Sequence, residues 1–150
     1  MPNTDLSTHP GHLVRRMQQV HNLLWTTMAS STITSPQFAV LNALAEKPDS
    51  DQRTLGRMAW LDRSTAADVI ARLVRRGLIT RVRDDADGRR NVLRLSEAGH
   101  DAHHALVRRT AGMNELFLSP LSGAERTQLI DLLNRVVTAG ERLRAADIQL

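Results

Sequence analysis

Arginine residues are concentrated in one stretch of this 150-residue chain, from Asp51 to Leu95. The stretch holds eleven of the nineteen arginines and six acidic residues, which gives it a net charge of +5. The other 105 residues hold nine basic and ten acidic side chains, a net charge of −1. A guanidinium group stays charged at neutral pH and donates paired hydrogen bonds in one plane, so it suits phosphate binding. The placement of the charge predicts a polyanionic partner for this stretch.

The remaining composition excludes several classes of function. The chain has no cysteine, which excludes disulfides, thiolate zinc sites and thiol-based redox sensing. Aromatic residues make up 3% of the chain and tyrosine is absent, which argues against a stacking surface for single-stranded nucleic acid. No phosphate-binding loop, nucleophile elbow, metalloprotease motif or dinucleotide turn occurs in the sequence. We therefore expect neither an enzyme nor a bound cofactor.

Three histidines form a separate candidate cluster. His100, His103 and His104 lie beside Asp101, and on a helix their spacing of i, i+3 and i+4 puts them on one face. Such spacing can bind zinc. Exposed histidines on a solvated face are the commoner outcome, so no metal site is predicted.

Two short helices joined by a tight turn are predicted to position the first part of the arginine stretch. Asp51 is expected to cap the first helix, and Asp62 the second, which runs to Arg76 and ends at Gly77. The helical period divides the second helix into two faces. The inward face holds Ala66, Ile70 and Leu73. The outward face holds Arg63, Ser64, Thr65, Asp68 and Arg72. Two such helices form a helix-turn-helix.

A basic β-hairpin is predicted to follow. Residues 78–83 and 91–95 alternate apolar and polar side chains, as half-buried strands do. The segment between them is polar, with Gly88 available for a positive φ. A basic hairpin directly after a helix-turn-helix is a wing.

Longer helices are predicted on both sides of this head. A first helix begins near Gly11, a second is capped by Ser35 and stops at Lys47-Pro48, and further helices start at Ser96 and at a Ser122–Glu125 capping box. The last helix has an apolar face too broad for a small domain to cover, which indicates a subunit interface and a homodimer. This face comprises Leu129, Ile130, Leu132, Leu133, Val136 and Val137, with Leu143 and Ile148 as a possible extension. The predicted fold is mainly α with a small β-hairpin wing.

The segments LDRSTAADVIARLVRRGLI and RVRDDADGRRNVLRLSEAG resemble the winged helix-turn-helix of the MarR family of bacterial transcription regulators. The sharpest markers are Asp87-Gly88-Arg89 in the wing and the closing motif Leu95-Ser96-Glu97-Ala98-Gly99. The resemblance follows the helix order over about residues 12–145 and is strongest over 51–99. It implies a single domain over residues 1–150, with the winged head at about 35–99. The dimerisation helices are then at 11–34 and 100–150.

The resemblance implies that this protein binds a pseudo-palindromic double-stranded DNA operator as a homodimer. The recognition helix would enter the major groove and the wing the neighbouring minor groove. Arginines would neutralise phosphates, while Ser64, Thr65 and Asp68 would read bases. Asp87 would orient Arg89, which senses minor-groove width. The implied DNA-binding residues are Arg63, Ser64, Thr65, Asp68, Arg72, Arg76, Asp87, Arg89 and Arg90.

Two positions depart from the family pattern. Gly88 stands where many members have another arginine, a role that Arg90 could take over. Asp68 stands where Thr or Arg is common. Because a carboxylate there repels phosphate, Asp68 should either accept from a cytosine amino group or pair with Arg72.

Family members commonly act as repressors that release DNA when a small aromatic or phenolic acid binds. The start of the first helix, Pro-Gly-His-Leu-Val-Arg-Arg, is similar to the subset that controls aromatic-acid catabolism. Plain core packing is the alternative explanation for the same residues. The candidate effector-binding residues are Arg15, Arg16, His21, Trp25, Phe38, Met58 and Trp60.

The sequence has neither a signal peptide nor an apolar run of membrane-spanning length, so a cytoplasmic, nucleoid-associated bacterial protein is expected. Three alternatives remain. The arginines could form only a solvated face, the head could be a protein–protein scaffold that does not bind DNA, or the regulator could lack a small-molecule effector.

Overall fold

The computed structural model describes residues 5–147, without the side chains of residues 144 and 147, and comprises two compact units that meet in sequence after Met113. A 3-10 turn at Leu6–Thr8 precedes the first helix, which ends in a π-helical turn at Trp25–Ala29. The helices are α1 (Pro10–Leu24), α2 (Ser35–Glu46), α3 (Gln52–Met58), α4 (Arg63–Arg75), α5 (Glu97–Phe117) and α6 (Gly123–Asp147). The strands are β1 (Ile79–Arg83) and β2 (Asn91–Leu95). The mainly α prediction is confirmed.

The caps of the two helix-turn-helix helices are those predicted. The Asp51 carboxylate accepts from the Thr54 N–H at 2.8 Å, and the Asp62 carboxylate accepts from the Thr65 N–H at 2.8 Å. Gly77 has a φ of 73°, a conformation that glycine adopts without steric cost. Helix α4 ends at Arg75, one residue earlier than predicted, and Arg76 is its C-cap.

The predicted cap of α2 was wrong by one residue. Thr34, not Ser35, is the N-cap: its Oγ1 accepts from the Gln37 N–H at 3.3 Å, and Gln37 Oε1 accepts from the Thr34 N–H at 3.0 Å. This reciprocal capping box needs a Gln or Glu three residues after the cap. From Ser35 that position is Phe38, which cannot accept the bond.

The two strands pair antiparallel, with Ile79 opposite Leu95 and Arg83 opposite Asn91. Gly88, which was available for a positive φ, does not adopt one, since Gly77 is the glycine with positive φ in the described chain. The tip closes through carboxylates instead: Asp84 Oδ1 accepts from the Ala86 N–H and Asp87 Oδ1 from the Arg89 N–H. A loop of this length does not need the two-residue turn that requires left-handed backbone.

The closing motif attaches the start of α5 to the end of α4. Ser96 Oγ donates to the Gly77 carbonyl and accepts from the Gly99 N–H at 3.0 Å, while the Ser96 N–H donates to the Leu78 carbonyl at 3.1 Å. A Cβ on Gly99 would lie 2.0 Å from that carbonyl oxygen. Glycine is therefore required at this position, because the α5 backbone approaches Leu78 too closely for any side chain.

One apolar core holds α2, α3, α4, both strands and part of α5 together. Leu41, Leu55, Ile70 and Leu73 are fully buried in it, and Leu93 joins it from β2. The inward face of α4 is therefore the one predicted, and its opposite face is left exposed. No helix in the described range is both long enough and apolar enough to cross a membrane.

Candidate nucleic-acid interface

The exposed face of α4 begins with two hydroxyl groups that share one carboxylate. Ser64 Oγ donates to Asp62 Oδ1 at 2.9 Å, and Thr65 Oγ1 donates to Asp62 Oδ2 at 2.9 Å. Their protons are therefore directed at Asp62. The hydroxyl oxygens remain available as acceptors in fixed positions at the start of the helix. This arrangement suits contacts with base amino groups.

Asp68 and Arg72 pair along the same face. Arg72 Nε lies 3.1 Å from Asp68 Oδ2, and both side chains are 59% exposed. Of the two possibilities for Asp68, the free protein adopts the i, i+4 pair. An exposed pair of this kind is worth only about 0.3–0.5 kcal/mol, so either group can turn to another partner at little cost.

Asp87 orients the wing tip through its backbone. Its Oδ1 accepts from the Arg89 backbone N–H at 3.1 Å, and its carbonyl accepts from the Arg90 N–H at 2.9 Å. One oxygen of the Asp87 carboxylate thus closes the turn, and its predicted bond to the Arg89 guanidinium stays a prediction. Arg89 lies exposed at the tip.

Arg90, the residue that could take over the role of an arginine at position 88, is ion-paired within the chain. Its Nη2 lies 2.8 Å from Asp51 Oδ2, on the residue that caps α3. The Thr54 N–H, and to a smaller extent Arg90, hold the pKa of the Asp51 carboxyl below its ordinary value. Arg90 therefore links the wing to the helix-turn-helix. Arg76 is likewise engaged within the chain, donating to the Thr32 carbonyl at 2.6 Å.

An open groove between α3 and the start of α4 adds two cations that were not predicted as DNA-binding residues. The groove has a volume of about 480 Å³ and an apolar floor that includes Leu61 and Ala66. Arg53 and Arg57 line it from α3, and Arg63 lines it from α4. The spacing of Arg53 and Arg57 on one short helix is the sequence signal that could have identified them. Among the residues that line the groove, none is acidic.

The turn between α3 and α4 carries an exposed indole. Trp60 has a φ of 55° and is 72% exposed. A left-handed backbone costs a residue with a Cβ roughly 1–2 kcal/mol relative to glycine. The prediction that Trp60 lines an effector pocket is not supported within this chain, because its side chain is mostly in solvent.

Three of the predicted effector residues do come together, and a fourth residue joins them. Trp25 is buried, with its ring centroid 6.0 Å from that of His21 and 5.6 Å from that of Phe38. Phe38 stacks on His103 at 6.0 Å, and His103 Nε2 lies 3.0 Å from Asn42 Oδ1. The rings thus connect α1, α2 and α5. His103 was considered only as a metal candidate at the sequence level, since its distance of 65 positions from Phe38 hides the contact.

The Trp25 indole also borders a small cavity. Its Nε1–H donates to the Ile33 carbonyl at 2.7 Å, and the adjoining cavity has a volume of about 230 Å³. Met58 packs on the main core, half-buried. Arg15 and Arg16 are exposed on α1, and Arg15 Nη2 contacts His12 Nδ1 at 3.0 Å.

The histidines of α5 are adjacent without forming a metal site. The ring of His104 lies 6.4 Å from that of His100 and 5.9 Å from that of His103. Among the described residues, no three histidine, aspartate or glutamate side chains are grouped so as to hold a metal ion. Burial, followed by the charges of His104 and His100, lowers the pKa of His103 from its ordinary value of 6.5.

Comparison with known proteins agrees with this geometry. Residues 31–90 match the MarR family. The transcriptional regulator HosA of Escherichia coli O111:H- is 33% identical over 128 residues, which cover 85% of this chain and 94% of HosA.

Two solved structures of regulators have the same fold. The crystal structure of PcaV from Streptomyces coelicolor, in complex with its natural ligand, has a TM-score of 0.88 and 54% identity, covering 93% of this chain and 99% of PcaV. The second structure is that of BpsR of Bordetella bronchiseptica, whose DNA binding is regulated by 6-hydroxynicotinic acid. It has a TM-score of 0.82 and 28% identity, covering 91% of this chain and 98% of BpsR. This chain therefore belongs to the MarR family, as a DNA-binding winged helix-turn-helix transcriptional regulator and not an enzyme.

Proposed function

We propose that this regulator is a homodimeric repressor that leaves a pseudo-palindromic operator when a small aromatic acid binds. The observation that carries the proposal is the exposed cationic surface of the head. This surface comprises the outer face of α4, the groove with Arg53 and Arg57, and the wing tip with Arg89. Such a surface binds phosphates with an affinity that falls steeply as salt rises, because bound counterions are released.

Each part of the surface has a separate task in this proposal. Arg63 and Arg72 neutralise phosphates beside the major groove, and Ser64 and Thr65 contact base edges. Where the operator has a cytosine at this position, the Asp68 carboxylate separates from Arg72 and accepts a hydrogen bond from the cytosine amino group. Arg89 enters the minor groove and responds to its width.

A second copy of the chain would cover the exposed apolar faces of the flanking helices. On α1, Leu13 is 42%, Val20 50% and Leu23 65% exposed. On α6, Ile130, Leu132, Val136 and Val137 are all at least 44% exposed. Large exposed apolar faces indicate protein contacts, and a two-fold dimer matches a palindromic operator. The predicted extension at Ile148 lies outside the described residues.

The cluster of His21, Trp25, Phe38 and His103 is the proposed effector site. PcaV and BpsR bind small ligands, and 6-hydroxynicotinic acid is an aromatic acid. Aromatic rings and a neighbouring imidazole suit such a ligand, and Arg15 or Arg16 of either copy could neutralise its carboxylate. A ligand that favours the head spacing unsuited to the operator would shift the dimer away from DNA.

A gel shift tests the proposal directly. The protein is titrated onto duplexes from its own upstream region, with unrelated duplex as competitor, at several salt concentrations. Sequence-preferring, salt-sensitive binding is expected, and aromatic acids that raise the melting temperature should release the DNA. Binding without any sequence preference would contradict the operator, whereas specific binding that no acid reverses would leave a regulator without this effector. A protein–protein scaffold would show no DNA binding at all. The expected place of action is the bacterial cytoplasm, at the nucleoid.

A further inference from the structure

A contribution to the stability of the fold does not explain why tryptophan occupies position 60. The Trp60 N–H donates to the Arg57 carbonyl, and the Leu61 N–H donates to the Gly56 carbonyl at 2.9 Å. These bonds and the close approach of α3 to α4 fix the turn, since a Cβ on Gly56 would lie 3.0 Å from that of Ala66. The turn therefore imposes a left-handed backbone on whichever residue occupies position 60.

Glycine would fit this turn without strain, and a polar residue would avoid exposing an indole to water. Tryptophan has both disadvantages, and with 72% of its surface exposed it has little packing to compensate for them. Strained residues that gain little within the fold occur preferentially where a partner binds. The side chain is thus better explained by a contact outside the chain.

The surroundings of Trp60 indicate the chemistry of that partner. The turn lies between Arg57 of α3 and Arg63 of α4, which both line the cationic groove. The nearest acid in sequence, Asp62, is engaged in capping α4. An indole offers one N–H donor and a broad apolar ring, and phosphate and sugar contacts are commonly made by neutral donors as well as by arginine.

We propose that Trp60 packs on the sugar–phosphate backbone of the operator beside the groove formed by Arg53, Arg57 and Arg63, with its Nε1–H donating to a phosphate oxygen. This inference rests on the proposed operator binding. It assigns to Trp60 a role in holding the register of the head on the duplex, and it removes Trp60 from the effector site.

The test compares the parent with Trp60→Gly, Trp60→Phe and Arg63→Ala. Affinity for a labelled duplex from the protein's own upstream region is measured by fluorescence anisotropy at several salt concentrations, and melting temperature is measured on the same samples. We expect Trp60→Gly to melt at the same temperature as the parent or higher while binding at least tenfold more weakly. The affinity of Trp60→Phe should lie between those of the parent and Trp60→Gly, because phenylalanine keeps an aromatic ring but has no N–H donor.

The salt dependence separates this contact from an arginine contact. Removal of a neutral side chain should leave the slope of affinity against salt unchanged, whereas Arg63→Ala should reduce it by about 0.9 for the one phosphate lost. Acrylamide quenching gives a second measure. Because Trp25 is 5% exposed, quenching in the parent reports mainly on Trp60 and should fall when the duplex is added.

Several outcomes would overturn the inference. Parent-like affinity of Trp60→Gly would do so, as would a lower melting temperature, which would show that the ring supports the fold. A changed oligomeric state in sedimentation would place the contact between protein copies instead. In each case Arg63→Ala would still weaken binding, so operator binding itself would stand. If the parent shows no sequence-preferring binding, the proposed function fails and this inference fails with it.

Discussion

Arg90, beside the wing tip, forms an ion pair with Asp51, the residue that caps α3. Their Nη2 and Oδ2 atoms are 2.8 Å apart, although 39 positions separate the residues in sequence. The Leu93 N–H also donates to the Ser50 carbonyl at 2.9 Å. Two contacts therefore connect the second wing strand and the residue before it to the residues that precede α3. The wing is thus attached to the start of the helix-turn-helix, and a change in one can alter how the other contacts DNA.

The first prediction separates the tip arginine from the linking arginine. Arg89→Ala should weaken operator binding and reduce the salt slope by about 0.9, since a positive charge in the minor groove no longer displaces counterions from the duplex. Arg90→Ala should weaken binding less and should resemble Asp51→Asn, which keeps a capping side chain and removes the ion pair. Because the pair is partly exposed, neither change should cost more than about 1 kcal/mol of stability. Duplex binding by the single and double variants checks this, and additive effects of Arg90→Ala and Asp51→Asn would contradict a functional link.

The second prediction concerns base preference at Asp68. Asp68→Asn removes a negative charge facing phosphate and releases Arg72, so affinity for duplexes in general should rise. Discrimination at one base pair should fall by about 1–3 kcal/mol, the usual worth of a specific contact. Binding-site selection on both proteins measures the change. Asp131→Asn on α6 alters the net charge equally and should leave the selected sequences unchanged.

The third prediction concerns Trp25 and the proposed effector site. Trp25→Phe keeps a ring but leaves the Ile33 carbonyl without its donor, so stability should fall by about 1–3 kcal/mol. Release of the duplex by aromatic acids should need clearly more ligand, while affinity for the duplex alone should change little. A titration of release against acid concentration measures both quantities. An unchanged titration would show that the cluster is core packing and not a ligand site.

The fourth prediction follows from the close approach of Gly99 to Leu78. Gly99→Ala would place a methyl group against a backbone carbonyl, so we expect a loss of at least about 1–3 kcal/mol, the usual cost of overpacking. Gly112→Ala on the same helix has nothing within 4 Å of the new Cβ and should instead gain about 0.5–1 kcal/mol. Urea unfolding of both variants gives the comparison. Equal stability of the two would disprove the proposed constraint.

The fifth prediction concerns acid and His103. Burial and the neighbouring His104 and His100 lower the pKa of His103 in the folded state, so the unfolded chain binds its proton more readily. Stability should therefore be unaffected by His103 well above pH 6.5, and should decrease as the pH falls through that value. His103→Gln cannot take up this proton, and its melting temperature should fall less between pH 7.5 and about pH 5.5. An equal fall in the melting temperatures of the parent and His103→Gln over this pH range would contradict the prediction.

Much of the head could be predicted from the sequence because its signals are local. Caps such as Asp51 and Asp62 act within three residues, and the inward face of α4 follows from the helical period. The concentration of arginine between residues 51 and 95 is likewise visible without coordinates. The family resemblance, carried by the wing and closing motifs, was confirmed by the relatives.

Only the tertiary structure decided which of these charges are engaged within the chain. Arg90 and Arg76 have the same charge as Arg89, but their partners, Asp51 and Thr32, lie 39 and 44 positions away, beyond the reach of any local pattern. The stack of His103 on Phe38 and the exposure of Trp60 depend in the same way on how the helices pack. A side chain's type fixes what it can bind, whereas its access to a partner depends on contacts that are distant in sequence.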